Sequence, residues 1–150
     1  MFTIITKSEK ETENTAYELA KENKIKFGDT VALYGDLGAG KTSFTRGLVS
    51  FFSPLSRVTD PPFALVNEYK INNSDKILHF DMHKINSKDD LLSTGFYDCY
   101  DNINEKITII EWFDNIDEFF DGNTVNVGIV KLGGNERKII FERPDDYLIC

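Results

Sequence analysis

Eight residues, GDLGAGKT from Gly35 to Thr42, constrain this chain more than any other stretch. They match G-x-x-x-x-G-K-[ST] at every fixed position. The run before them, TVALYG (Thr30 to Gly35), reads as a strand. The run after them, Thr42 to Phe52, reads as a helix with Phe44, Leu48 and Phe51 facing inward, ended by Ser53-Pro54. A loop that wraps phosphates needs consecutive backbone N–H groups pointing inward, and glycine permits the positive φ values this requires. The helix that follows contributes its positive N-terminal end. Lys41 offers a full charge to β- and γ-phosphates, and Thr42 offers a hydroxyl to Mg²⁺. A glycine-rich turn with an incidental lysine is the alternative reading. The strand before and the helix after favour a phosphate loop built from Asp36, Leu37, Gly38, Ala39, Gly40, Lys41, Thr42 and Ser43.

The loop sits in a chain of 150 residues, 41% of them hydrophobic, which is enough for a single domain over residues 1–150. Its net charge is −8, from 17 basic and 25 acidic residues, with no basic tract. Such a chain is poorly suited to gripping a nucleic-acid backbone directly, because neutralised phosphates supply most of that affinity. Protein and small-molecule partners are expected instead. The two cysteines, Cys99 and Cys150, show neither metal-ligand spacing nor a disulfide framework, which fits a reducing compartment and no metal cluster. The start, MFTIITKSEKE, has no signal-peptide pattern, and no apolar run approaches membrane-spanning length. A soluble cytoplasmic protein without membrane association is expected.

The remaining elements follow from periodicity. FTIIT (Phe2 to Thr6) reads as an edge strand. Ser8 and Glu11 fit a capping box opening a helix, with Thr12, Ala16, Leu19 and Ala20 on one face. ALVNEYKI and KILHFDM flank Asn72-Asn73-Ser74-Asp75 as a hairpin. Lys84 to Tyr100 reads as short helices broken at Gly95. KITIIEW (Lys106 to Trp112) reads as a strand buried on both faces. Thr124 to Lys131 and Arg137 to Phe141 form a last hairpin around Leu132-Gly133-Gly134-Asn135. Alternating strands and helices predict an α/β fold, a P-loop NTPase-like three-layer sandwich whose mainly parallel central sheet carries added antiparallel hairpins.

Two apolar runs end in acids. ILHFD ends at Asp81 and ITIIE at Glu111, and the C-terminal end of a buried strand is where an open α/β sheet places its ligand chemistry. Either acid could serve a metal or be an ordinary polar strand end. Trp112, the single tryptophan, reads equally as core packing or as a nucleotide contact.

Taken together, these residues resemble the TsaE (YjeE) family, small bacterial P-loop ATPases of tRNA threonylcarbamoyladenosine biosynthesis. The resemblance covers nearly the whole chain. It rests on GDLGAGKT followed by Phe44-Thr45-Arg46-Gly47, on Asp60-Pro61-Pro62-Phe63 with Leu65 and Glu68-Tyr69, on His79-Phe80-Asp81-Met82-His83-Lys84, and on Glu111-Trp112. It implies that the protein binds ATP or ADP with Mg²⁺, hydrolyses ATP weakly alone, and acts with TsaB and TsaD partners, which modify adenosine 37 of tRNA. Contact with tRNA would be indirect, through that complex. By the same resemblance Lys41, Asp81 and Glu111 are catalytic, with Lys41 holding phosphate. Thr42, Glu111 and Asp81 serve the metal, Asp81 as a catalytic or metal-linked acid. The adenine would lie near Thr12 and Arg137, although Thr12 also fits a core position and Arg137 a solvated strand. Two other classes stay open. A small P-loop metabolite kinase usually needs an arginine-bearing lid, and Lys84 to Lys106 contains no arginine. A nucleotide-dependent binding module would bind without turnover.

The chain departs from the family pattern at Asp60 and Pro62, where serine and threonine are usual, and at His83-Lys84, where Tyr-Arg is usual. Proline has no hydroxyl and no backbone N–H, so the side chain at 62 makes no metal or γ-phosphate contact. The isolated protein is therefore expected to distinguish ATP from ADP weakly, with partner binding supplying the missing order. Pro62→Thr should raise basal ATPase activity or ATP preference while leaving ADP affinity nearly unchanged. Nucleotide affinities and the phosphate-release rate of both proteins check this.

Overall fold

The β-branched runs pair into one seven-stranded mixed sheet. The computed structural model describes residues 1–58, 66–99, 106–120 and 123–143. Cys150, Thr59 and the Asp60–Phe63 and Leu65 part of the family resemblance, Pro62 included, lie outside the described residues. The strands are β1 (Phe2–Thr6), β2 (Thr30–Tyr34), β3 (Val66–Lys70), β4 (Lys76–Asp81), β5 (Lys106–Glu111), β6 (Val125–Gly133) and β7 (Glu136–Glu142). Their order across the sheet is β1-β7-β6-β2-β5-β4-β3. β2 runs parallel to β5 and β6, and β4 runs parallel to β5. β3, β7 and β1 are added antiparallel. This is the expected α/β architecture, a mainly parallel centre with antiparallel additions.

The helices follow their local signals. Ser8 accepts from the Glu11 amide at 3.1 Å and opens α1 (Glu9–Lys21), whose Thr12, Ala16, Leu19 and Ala20 are buried. The reciprocal half of the capping box is displaced by one residue: the Glu11 carboxylate accepts from the Lys7 amide rather than that of Ser8. α2 (Lys41–Phe52) follows the glycine loop, and Gly95, with φ 74°, separates α3 (Lys88–Ser93) from α4 (Phe96–Cys99). Two short 3-10 turns, Phe113–Asn115 and Asp117–Phe119, follow β5. The last hairpin is tighter than the sequence pattern suggests. β6 continues through Gly133, which pairs with Glu136, leaving Gly134 and Asn135 as the turn. A register shift between Lys131 and Gly133, with positive φ at Gly133 and Gly134, makes this closure possible.

Strand alternation divides the interior between the two faces of the sheet. Val31 and Leu33 of β2, Ile107 and Ile109 of β5 and Val127 and Ile129 of β6 pack against α1 and α2 through Ala16, Leu19, Phe44 and Leu48. On the other face Ala32, Leu78, Phe80 and Ile110 meet Met82, Leu91, Phe96, Phe113 and Ile116. The result is three layers, with α1 and α2 packed together on one side and the short helices on the other. Among the described residues no helix is long and apolar enough to cross a membrane.

The α1–α2 contact is close because of one residue. A Cβ on Gly47 would stand 2.1 Å from the Glu13 carbonyl oxygen and 2.8 Å from the Ala16 Cβ. Beside it, Arg46 pairs with Glu13 at 2.8 Å. Gly47→Ala should therefore force α1 and α2 apart and cost about 2–3 kcal/mol in a denaturant titration, although alanine is the better helix former. A neutral or stabilising result would show that the helices yield.

Candidate functional site

Three parallel strands deliver their last residues to the same edge of the sheet, and that edge carries the chemistry. β2 runs out at Tyr34 into the glycine loop, while β4 and β5 end at Asp81 and Glu111, which stand opposite each other in register. The loop has the conformation its glycines permit. Gly35, Gly38 and Gly40 take φ values of 154°, 76° and 114°. At Gly35 a side chain is also excluded by space, since a Cβ would lie 2.7 Å from the Ile129 carbonyl oxygen. Gly40 is the N-cap of α2 and carries no capping side chain, which leaves the head of the helix open.

The last hairpin braces this loop. Arg137 Nε donates to the Ala39 carbonyl at 2.8 Å, and its Nη2 reaches the Gly38 carbonyl at 3.4 Å. Within a planar trans peptide the C=O and the next N–H point in opposite directions. Holding the Ala39 carbonyl on the hairpin side therefore turns the Gly40 N–H away from Arg137. Arg137 is thus a half-buried brace on the loop rather than a solvated strand residue. Its Nη1 also closes its own turn on the carbonyls of Gly134 and Glu136. Thr12 lies beneath the loop, fully buried, with its hydroxyl 2.8 Å from that of Thr6. Its methyl is 3.9 Å from where a Gly40 Cβ would stand, so it supports the loop from the core side. Thr12, Gly38, Gly40, Ser43, Asn135 and Arg137 share a small cavity of about 30 Å³, the region assigned to adenine by resemblance.

A neighbouring cavity of about 220 Å³ is lined by Glu9, Leu37, Gly38, Gly40, Lys41, Thr42, Ser43, Asp81, Glu111 and Trp112. A larger groove of about 350 Å³ lies between β1 and α1 and holds none of the glycine-loop residues. The smaller cavity is where the candidate residues converge. Of the loop residues named from sequence, Leu37 is turned outward to solvent, Ala39 and Ser43 are buried, and the Asp36 carbonyl accepts from the Ala39 amide to form the loop's turn.

Lys41 is buried at the head of α2. Its Nζ donates to the Gly35 carbonyl at 2.6 Å and lies 3.8 Å from the centroid of the Trp112 ring. Burial pushes the ammonium below the usual lysine range, and the carboxylates of Glu111, Asp81, Asp114 and Asp36 oppose that shift. Trp112, open between two readings on sequence, packs on this cation. It does so from a left-handed backbone, φ 59° and ψ 40°, which a bulky residue rarely adopts. Phe113 turns into the core immediately after it. Glu111 is buried, with Oε2 2.5 Å from Nε2 of the fully buried His79. Asp81 is tied differently: its Oδ1 accepts from the His83 amide at 3.0 Å and lies 2.8 Å from His83 Nδ1. The histidine that replaces the family's usual tyrosine therefore anchors this acid.

These residues suit the phosphates of a nucleotide and a divalent cation. The loop is shaped for inward amides, the helix head is open, and Lys41, the hydroxyl residues Thr42 and Ser43 and the acids Glu9, Asp81 and Glu111 line one cavity. Sequence reasoning missed His79 as the partner of Glu111 and Arg137 as a brace. The alternation of β4 and β5 placed 79 and 111 on one face, but only the strand pairing made them neighbours.

Comparison with known proteins bears on this site. The family model for the threonylcarbamoyl adenosine biosynthesis protein TsaE matches residues 6–139. The tRNA threonylcarbamoyladenosine biosynthesis protein TsaE of Rickettsia typhi is 35% identical over 131 residues, which are 87% of this chain and 87% of that protein. The Bacillus subtilis protein of the same name is 30% identical over 117 residues, covering 76% and 69%. A crystal structure of Bacillus subtilis YdiB superposes with a TM-score of 0.69 at 27% identity, covering 93% of this chain and 83% of that one.

Burial of the Lys41 ammonium opposes folding at neutral pH. A group whose pKa is lowered in the folded state holds fewer protons than in the unfolded chain, so its cost fades as pH rises through that lowered value. Lys41→Met keeps the volume and removes the charge. Its melting temperature at pH 7 should equal or exceed that of the parent, while the upward shift produced by ATP or ADP disappears. Differential scanning fluorimetry with and without nucleotide measures both. A retained nucleotide shift would move the phosphates elsewhere.

Proposed function

This chain belongs to the TsaE family and serves tRNA threonylcarbamoyladenosine biosynthesis, and we propose that it does so as a slow ATP-hydrolysing component that acts with TsaB and TsaD. The observation that carries this reading is the convergence of Lys41, Thr42, Asp81 and Glu111 on one cavity beside a braced glycine loop.

The roles follow from position. The loop amides and the head of α2 take the phosphates, and Lys41 exchanges the Gly35 carbonyl for a phosphate oxygen. The Thr42 hydroxyl and the Glu111 carboxylate would hold Mg²⁺, which when bound would supply positive charge to offset that of the phosphates. Among the described residues no group of three or more His, Cys, Asp or Glu side chains is placed to hold a metal ion. A sparse protein shell suits Mg²⁺, which keeps waters and takes substrate phosphate oxygens as ligands. Asp81, part-exposed on the cavity and held by His83, would orient the attacking water. Arg137 keeps the loop in register while the nucleotide changes. The net charge of −8 fits a protein partner as the main contact, with tRNA reached through it. In this reading the work of hydrolysis is to reset the TsaB–TsaD complex between cycles, in the cytoplasm.

Glu111→Gln and Asp81→Asn should therefore reduce turnover by more than about 10-fold while changing ATP affinity less than about 3-fold, since loop amides supply much of the binding. Calorimetry and phosphate-release assays, with and without TsaB and TsaD, read the two separately. Full turnover in both variants removes the acids from the mechanism. Turnover that depends on a small-molecule acceptor would reveal a kinase. Tight binding without phosphate release under any condition would reveal a binding module.

A further inference from the structure

His79 is the one fully buried histidine among the described residues, and the roles assigned above do not use it. It stands in the middle of β4, between Tyr69 on β3 and Glu111 on β5. Its Nε2 lies 2.5 Å from Glu111 Oε2, and its Nδ1 lies 3.5 Å from the Tyr69 hydroxyl, with the two rings stacked at 26°. With a neutral ring and an ionised carboxylate, the Glu111 contact fixes which ring nitrogen carries the proton. The carboxylate can only accept, so Nε2 carries the proton and donates to Glu111. Nδ1 is then an acceptor, and it faces the Tyr69 hydroxyl at 3.5 Å. We propose that His79 is a positioning residue for the metal-facing acid: fixed by its burial between β3 and β5, it binds Glu111 Oε2 from the core side, so that Oε1 is presented to the cavity in a fixed orientation.

This rests on the reading of Glu111 as a Mg²⁺ ligand and adds a specific requirement to it. A carboxylate at a strand end can rotate about its terminal torsion, which is broad. One short hydrogen bond from a packed imidazole removes that freedom, and outer partners of this kind typically change metal affinity or activity by about 10–100-fold when removed. The bland alternative is a core histidine that fills space and meets Glu111 only because both are buried.

Imidazole ¹⁵N–¹H spectra of the wild-type protein without nucleotide test the arrangement itself. His79 should be in the Nε2–H form with a slowly exchanging proton, and Tyr69→Phe should move Nδ1 while leaving that proton in place. An Nδ1–H ring would overturn the proposal whatever the protein hydrolyses. The functional test is the Mg²⁺ dependence of phosphate release. His79→Leu should raise the Mg²⁺ concentration for half-maximal effect at least 10-fold, with Mg²⁺-free ADP affinity unchanged. His79→Gln, whose amide can donate to the same oxygen, should recover to within about 3-fold of wild type. A folded His79→Leu variant with wild-type Mg²⁺ dependence makes His79 a core residue only. If His79→Leu does not fold, the Tyr69→Phe variant and the ring spectra still decide. If wild type responds to Mg²⁺ and Glu111→Gln responds identically, the metal role of Glu111 fails, whereas the spectra report on His79 independently.

Discussion

A buried ammonium governs the arrangement of this protein's working edge. Lys41 is enclosed at the head of α2, and an isolated charge in that position would be costly. Its surroundings offset the cost in three ways: the Gly35 carbonyl accepts its hydrogen bond, the Trp112 ring covers it, and four carboxylates oppose its loss of charge. Each of those contributions imposes something on the fold. The first needs the loop to curl back on itself, the second needs Trp112 in a left-handed conformation, and the third needs β4 and β5 to end level with the loop. The strain at Trp112 is where a local rule is broken, and its ring on the lysine is the evident compensation.

The loop does not hold this shape by composition alone. Its glycines permit the positive φ values, but the choice among the shapes glycine permits is made by neighbours. The Ile129 carbonyl on β6 sits where a Gly35 side chain would be, and Arg137 on β7 binds the carbonyls of Gly38 and Ala39. The antiparallel hairpin added beside the parallel core is therefore part of what shapes the glycine loop. It joins residues about a hundred positions apart, and it ties loop geometry to the pairing of β6 with β2.

The two acids at the strand ends have different surroundings, and that suggests a division of labour. Glu111 is buried and backed by His79, while Asp81 sits nearer solvent and is held by an exposed His83. A carboxylate fixed from the core side suits a role that tolerates little motion, such as metal ligation. One at the mouth of the cavity suits contact with water. The substitution of His83-Lys84 for the usual Tyr-Arg does not leave Asp81 without an anchor, because the histidine supplies both a backbone amide and a ring nitrogen to the same oxygen.

Local chemistry made much of this legible. The glycine loop, its flanking strand and helix, the Ser8 cap, the break at Gly95 and the two hairpins are all short-range signals, in which the residues that decide a feature lie within a turn or two of it. The same holds for Asp81 and Glu111, since a polar residue ending an apolar run marks a strand terminus wherever the strand is placed. What the tertiary structure decided is which distant residues meet. That His79 meets Glu111 depends on β4 pairing with β5 in one register; a shift of one residue would turn His79 to the other face of the sheet. That Arg137 braces the loop depends on β7 folding back beside β6, and that Trp112 covers Lys41 depends on the turn after β5. Side-chain periodicity assigns each of these residues a face. It carries no information about strand order, and strand order is what brings a cation, a ring and a carboxylate to one cavity.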